Sequence, residues 1–199
     1  MVSTIQETHP NTHLRLALTV PGTLHVEKTP SQIDYWKALD SFKTNSLAPM
    51  LLMKHLSPLL PTKSTAPFPD TSSSSSHPEG SLPLPAHAVY AMMAARVGSI
   101  SDNSTGGWYS YRASKAAVFQ LAKTFDLHLR TRSRDRALAL AMHPGTVQTD
   151  FTRTYWEGRD MLQPHDAADR LLRVICAMGA GPEEGRGRCW DWKGEEVLP

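Results

Sequence analysis

The sequence is poor in the residues that announce a specialised class. Its 199 residues hold two cysteines, Cys176 and Cys189, with no CxxC arrangement, which excludes a disulfide framework and a cysteine zinc site and points to a reducing compartment. Charge of one sign is lacking as well. The 21 Lys plus Arg against 19 Asp plus Glu leave +2, too weak a field to draw the chain to nucleic acid or anionic lipid. No long hydrophobic run exists, because the greasiest stretch, residues 47–60, is broken by Pro49, Lys54, His55 and Pro58. The first residues, Met1-Val2-Ser3-Thr4-Ile5-Gln6-Glu7, carry no basic segment followed by an apolar one. His9 and His13 stand in a Pro/Asn/Thr segment without acidic or cysteine company, so no metal site is expected. These absences lead us to expect a cytoplasmic protein with neither nucleic-acid nor membrane partners.

What is present has the grammar of an α/β domain. Leu14-Arg15-Leu16-Ala17-Leu18-Thr19-Val20 reads as a strand stopped by Pro21-Gly22. Residues 31–60 carry apolar positions at three and four spacings (Tyr35, Leu39, Phe42, Leu47, Met50, Leu51, Met53) and read as one long helix, with Ser31 as cap and Pro61 as stop. Ala86 to Met93 and Ala137 to Met142 are apolar runs of strand length, the kind buried on both faces of a parallel sheet. Between them lie a Gly/Ser-rich loop, residues 98–108, and a second long helix, residues 111–130. A helix over 166–178 and a terminal strand over 188–192 complete the pattern. The expected fold is therefore a parallel sheet of about four strands flanked by helices, in one domain over residues 14–199. Residues 1–13 form a polar N-terminal segment. Residues 61–85, with the run Ser72 to Ser76 among several prolines, read as a disordered insertion, which costs little to close as a loop.

The chemistry concentrates in Tyr111-Arg112-Ala113-Ser114-Lys115, where a tyrosine and a lysine four apart at a helix start share one face. A free phenol loses its proton near pH ~10, and a nearby cation would lower that value toward the range useful for proton transfer. Tyr109 has Ala113 at the same spacing and no such partner. Downstream, the strand at 137–142 ends in His143-Pro144-Gly145-Thr146-Val147-Gln148-Thr149.

In this order and spacing the chain resembles the short-chain dehydrogenase/reductase family. Arg96-Val97-Gly98-Ser99-Ile100, Gly106-Gly107-Trp108-Tyr109-Ser110-Tyr111-Arg112 and His143-Pro144-Gly145-Thr146-Val147 are similar to stretches of the sniffer-type carbonyl reductases and C-factor-like proteins. The resemblance implies a Rossmann-like sheet and NAD(P)(H)-dependent reduction of a carbonyl, or oxidation of a secondary alcohol, on a small molecule. It implies Tyr111 as acid/base, Lys115 as its electrostatic tuner and a contact of the nicotinamide ribose, and Asn45 in a proton relay. Pro144, Gly145, Thr146, Val147 and Thr149, together with Tyr111 and Lys115, would line the cofactor, with NADP(H) preferred over NAD(H). Substrate choice would fall to the Trp108 loop and residues 151–161, and a homodimer to the two long helices.

The chain also departs from that pattern. Relatives place a serine pair where Ala94 and Ala95 stand, so Ser99 is the candidate to polarise the carbonyl, with Ser101 as its alternative. The glycine-rich turn that seats the cofactor pyrophosphate has no counterpart, and Thr19-Val20-Pro21-Gly22 replaces the Asn-Asn-Ala-Gly loop. We therefore expect a truncated Rossmann-like domain in which cofactor binding is weakened or lost. The alternative reading is an inactive remnant that serves as a binding or regulatory partner or has no function. Arg130, Arg132, Arg134 and Arg136 read as a solvated helix end, His143 as a packed strand end, and Trp190 and Trp192 as a packed terminal strand or a pocket lip.

Overall fold

The computed structural model describes residues 2–69, 71, 82–153, 161–181 and 184–199. The helices are α1 (Val2–Thr8), α2 (Tyr35–Phe42), α3 (Ala48–Leu56), α4 (Tyr109–Arg132), α5 (Asp150–Arg153) and α6 (Pro164–Ala177). The strands are β1 (Leu16–Thr19), β2 (Ala88–Met93), β3 (Ala137–His143) and β4 (Cys189–Asp191). They form one parallel sheet in the order β1-β2-β3-β4, a four-stranded Rossmann-like sheet with helices on both faces. The serine run 72–76 and residues 154–160 lie outside the described residues. No helix among those described is long and apolar enough to cross a membrane.

The alternation in Ala137-Leu138-Ala139-Leu140-Ala141-Met142 dictates how the layers pack. All six residues are fully buried. Side chains in a strand alternate between faces, so the three alanines turn one way and the larger residues the other. On the alanine side α4 brings Val118, Phe119, Ala122, Phe125 and Leu129 close to the sheet. On the other side Leu138, Leu140 and Met142 fill the space toward Leu171 and Ile175 of α6. Each of these large side chains contributes about 1.5–3 kcal/mol on burial.

The long helix expected over residues 31–60 is interrupted. Pro30–Gln32 forms a 3-10 turn, with the Gln32 side chain accepting from Lys28 N (2.7 Å), and Asp34 rather than Ser31 caps α2 by accepting from Lys37 N at 3.0 Å. A π-helical turn over Lys43–Leu47 then inserts one residue of slack and turns Asn45 and Ser46 inward before α3 resumes. α3 ends at Leu56, ahead of Pro61, and a 3-10 turn, Ser57–Leu59, follows. Part of the polar N-terminal segment is helical, as α1.

The insertion has a pinned neck. Phe68 N donates to Ala86 O at 2.9 Å, and Arg15 donates to Pro69 O, Leu84 O and Pro85 O at 2.7–2.9 Å. This neck sits before the first residue of β2, at the end of the strand opposite Met93.

The basic run is not a solvated helix end throughout. Arg130 pairs with Asp126 (2.9 Å), a fully buried carboxylate on α4. Arg186, itself buried, donates to both oxygens of the same carboxylate (2.9 and 3.0 Å) and to the carbonyls of Arg134, Ala137 and Ala180. Asp126 also accepts from Ala139 N at 3.1 Å, so one carboxylate joins α4, β3 and the loop before β4. Removing it leaves a guanidinium in the interior. Asp126→Ala is expected to cost about 3–5 kcal/mol, read as a lower midpoint in urea denaturation.

Candidate active site

A cavity of about 600 Å³ opens at the carboxyl ends of β1, β2 and β3, between α4 and α6. That volume suits a small organic ligand, and the carboxyl edge of a parallel sheet is where such folds bind them. Of the residues expected to form the site, Tyr111, Lys115, Pro144, Gly145, Thr146, Val147 and Thr149 all line it.

Tyr111 and Lys115 stand one turn apart on α4, 6% and 2% exposed. The Lys115 ammonium donates to Met93 O at 2.9 Å and more weakly to Pro21 O at 3.4 Å. It is thus anchored to the carbonyls that end β2 and follow β1. Burial pulls its pKa down from 10.5 to about 8. Burial pushes the Tyr111 phenol up to about 12, in a setting where the rings of Trp108 and Phe151 lie 6.1 and 6.2 Å from its own. This corrects the expected lowering of the phenol by Lys115. Desolvation governs, and the phenol is a protonated acid at neutral pH.

Asn45 is buried beside this pair but spends its amide on the backbone. Its Oδ1 accepts from Thr23 N (2.8 Å), while Nδ2 donates to Thr23 O and to Ser114 Oγ (both 2.9 Å). Ser46 Oγ donates to Ser114 O at 2.8 Å. The π turn thereby fastens the chain after β1 to the middle of the Tyr–Lys turn.

Ser99 is not brought into the cavity. It is buried after the 3-10 turn Arg96–Gly98, and its hydroxyl accepts from Asp102 N at 3.0 Å. Ser101 instead donates to Pro199 O. Ala94 and Ala95 line the wall and supply no donor.

The turn after β3 is shaped by Gly145. Its φ is +77°, and a Cβ there would lie 2.5 Å from Trp192 Nε1, so the indole packs directly on the turn. Thr146 O and Gln148 N then bond to Leu162 N and O, both at 2.9 Å, which holds Val147 against the cavity. Trp190 donates to Gly185 O at 2.8 Å, and Trp192 lies under Arg170 and Lys193. Trp190 lies in β4 and Trp192 in the turn that follows it, and neither lines the cavity.

Three contributors escape motif reading. Glu27 is buried, and its carboxylate accepts from Ser110 N (2.7 Å) and Ser110 Oγ (2.8 Å), while its carbonyl accepts from Trp108 N (2.6 Å); it caps α4 across 83 positions. Nothing in its local sequence, His25-Val26-Glu27-Lys28, marks it as a cap. Arg112, inside the Tyr-xxx-Lys motif, donates to the carbonyls of Val97, Gly106 and Gly107 and fixes the loop ahead of the helix. His143, expected as a packed strand end, lines the cavity.

No protein-family model matches the chain. Over 88 residues it is 39% identical to the 1-hydroxy-2-glutathionyl-2-methyl-3-butene dehydrogenase of Rhodococcus sp. (strain AD45), covering 44% of this chain and 38% of that protein. Over 108 residues it is 37% identical to the C-signal of Myxococcus xanthus, covering 54% of this chain and 58% of the relative. The matches thus span less than two thirds of either curated relative. The whole chain superposes on 71% of the carbonyl reductase Sniffer of D. melanogaster, with a TM-score of 0.77 and 23% identity. The same coverage, score and identity hold for an NADPH-bound carbonyl reductase from chicken fatty liver. Sheet order and cavity position define a Rossmann-like α/β domain. With the Tyr–Lys helix and these relatives, the chain is similar to proteins of the short-chain dehydrogenase/reductase family, on its sniffer-type and C-factor-like side.

The buried ammonium has a pH signature. Below about pH 8 the folded chain carries a desolvated charge that the unfolded chain keeps in water. Between about 8 and 10.5 the unfolded state binds the extra proton, so stability rises with pH across that window. The drop in pKa corresponds to about 3 kcal/mol at pH 7. Lys115→Met is expected to recover part of this at pH 7 and to abolish the rise above pH 8, as read from urea midpoints at pH 7, 9 and 10.

Proposed function

We propose that this chain carries the catalytic half of an oxidoreductase that reduces a carbonyl on a small, largely apolar molecule, with a nicotinamide cofactor as hydride source. The observation that carries the reading is the shared exposure of Tyr111 and Lys115 to one apolar cavity at the sheet's carboxyl edge, with the lysine anchored to strand-end carbonyls. The residues present suit the nicotinamide end of such a cofactor: an ammonium from Lys115, apolar walls from Pro144 and Val147, and a glycine turn held open by its positive φ. When bound, the reduced nicotinamide supplies the hydride. Among the described residues no glycine-rich strand-to-helix turn offers a seat for the pyrophosphate, and Val20, Pro21 and Gly22 border the cavity on the β1 side. The preference for NADP(H) over NAD(H) rests on likeness to relatives such as the NADPH-bound chicken enzyme.

Tyr111 donates its phenolic proton to the substrate oxygen as that oxygen gains charge. A phenol with a pKa of about 12 is still far more acidic than an aliphatic alcohol, so the transfer runs downhill. The reverse reaction needs the phenolate, present at only about 10⁻⁵ of the chain at pH 7. The protonated phenol, the form that carbonyl reduction calls for, predominates at neutral pH. Lys115 sets a positive charge beside the phenol, and Asn45 holds the Thr23 backbone and Ser114 in place behind it. A buried lysine kept at such cost argues against the inactive remnant.

The test is NADPH titration by fluorescence, followed by turnover of an apolar ketone. Saturable binding and ketone reduction are expected, with reduction lost by ~10³-fold or more in Tyr111→Phe and binding retained. Absence of saturable binding at millimolar NADPH would remove the reading for this chain alone.

A homodimer through the long helices belongs to the same proposal. α2, the π turn and α3 expose Tyr35, Trp36, Phe42, Leu47, Met50 and Leu51, with Trp36 71% exposed, and α4 adds Leu127. Leu51→Glu combined with Leu127→Glu is expected to move the sedimentation coefficient from dimer to monomer while leaving the far-ultraviolet circular dichroism unchanged.

A further inference from the structure

Reduction of a carbonyl builds negative charge on its oxygen, and a single phenol leaves part of that charge unanswered in an apolar cavity. The strand-end wall beside it, Ala94 and Ala95, has no donor to add. Most other polar side chains in the lining are committed. Arg96 is held by Asp191 at 2.8 Å, Lys115 by Met93 O and Pro21 O, and Thr149 and Thr152 by one another.

His143 is different. It is the last residue of β3, in register with Asp191 of β4, and the pairing of Met93 with Met142 sets Ala94 beside it on the other side. The alternation along β3 puts its side chain on the face of Ala139 and Ala141, the face covered by the helix that carries Tyr111. It lines the cavity, and its Nδ1 is buried with no hydrogen-bond partner. A buried polar atom without a partner costs free energy, and no protein acceptor fixes the ring's tautomer from that side. Nε2 is the ring nitrogen left for the cavity.

The charged groups facing the imidazole are Arg96, Asp191 and Asp102. Burial, then the Arg96 charge, pulls its pKa to about 4 against the opposing pull of the two aspartates, so the ring is neutral throughout the working range. A neutral imidazole carries one N–H, and with that proton on Nε2 it is a donor.

We propose that His143 donates its Nε2–H to the substrate oxygen as the second hydrogen bond beside that of Tyr111, taking the place of a hydroxyl that the alanine wall lacks. This rests on the carbonyl-reducing reading above. No proton is transferred from the ring; it polarises the carbonyl and steadies the oxygen while Tyr111 delivers the proton. Two fixed donors converging on one oxygen within apolar walls such as Leu24, Val97 and Phe151 select ketones and aldehydes with apolar substituents.

Two measurements on the full chain test this. In the first, the ¹⁵N-labelled protein is titrated with acetophenone and the imidazole nitrogens are followed by long-range ¹H–¹⁵N correlation. His143 is expected to appear as the Nε2–H tautomer and to shift saturably; no shift at His143, whatever other residues do, overturns the proposal. In the second, His143→Ala is expected to lower kcat for NADPH-dependent acetophenone reduction by about 10²-fold with little change in KM. Adding Ala95→Ser to that variant is expected to restore at least tenfold, which a purely structural histidine would not allow. Activity within twofold of the parent in His143→Ala, or no recovery in a double variant that melts like the parent, overturns it. If the parent chain turns over no ketone, the reductase reading fails by itself and the imidazole titration alone decides the role of His143.

Discussion

A charged ammonium buried at the carboxyl edge of the sheet is the constraint from which the rest of the site follows. Lys115 can remain charged there only because strand-end carbonyls accept from it, and those carbonyls must be delivered to within hydrogen-bonding distance. The segment after β1 is accordingly strapped to α4 at successive points. Pro21 O meets Lys115, Thr23 is held on both its N–H and its carbonyl by Asn45, which also bonds Ser114, and Glu27 clasps Trp108 and Ser110. Ser110 and Ser114 lie four apart, on the helix flank next to Tyr111 and Lys115. One flank of the helix is tied down so that the other can present an acid and a cation.

The two ionisable groups of this pair are displaced in opposite directions by the same cause. Burial disfavours the charged lysine and disfavours the charged tyrosinate, so each moves toward neutrality. For the phenol this keeps the proton in place at neutral pH. For the lysine it leaves a pKa of about 8, still high enough to hold most of its charge at pH 7. The protonation states of the pair thus follow from desolvation, a quantity that spacing along a helix does not contain.

The layers of the fold were readable because β3 is written in a two-residue alphabet of small and large apolar side chains, and because α4 has long apolar periodicity between two such strands. The tyrosine–lysine turn and the glycine turn at Gly145 were readable because their spacing is local. The break at Lys43–Leu47 was not, since a π turn keeps the apolar periodicity on either side and differs only in which polar residues it buries. Glu27 and Arg186 were hidden for a related reason. Each acts across the chain, on Ser110 and on Asp126, and nothing in the neighbouring residues marks a carboxylate or guanidinium that will be fully enclosed.

Ser99 illustrates how a close backbone approach decides what local sequence leaves open. Gly98 packs on α4 so tightly that a Cβ there would lie 2.7 Å from the carbonyl carbon of Lys115. The 3-10 turn Arg96–Gly98 is therefore pressed against α4, and Arg112 locks the same turn through Val97 O. With the backbone pinned on both sides, the next residue leaves this contact for the loop, where its hydroxyl oxygen accepts from Asp102 N. The cavity is walled on the sheet side, where β3 ends, by His143, whose Nδ1 is buried without a partner.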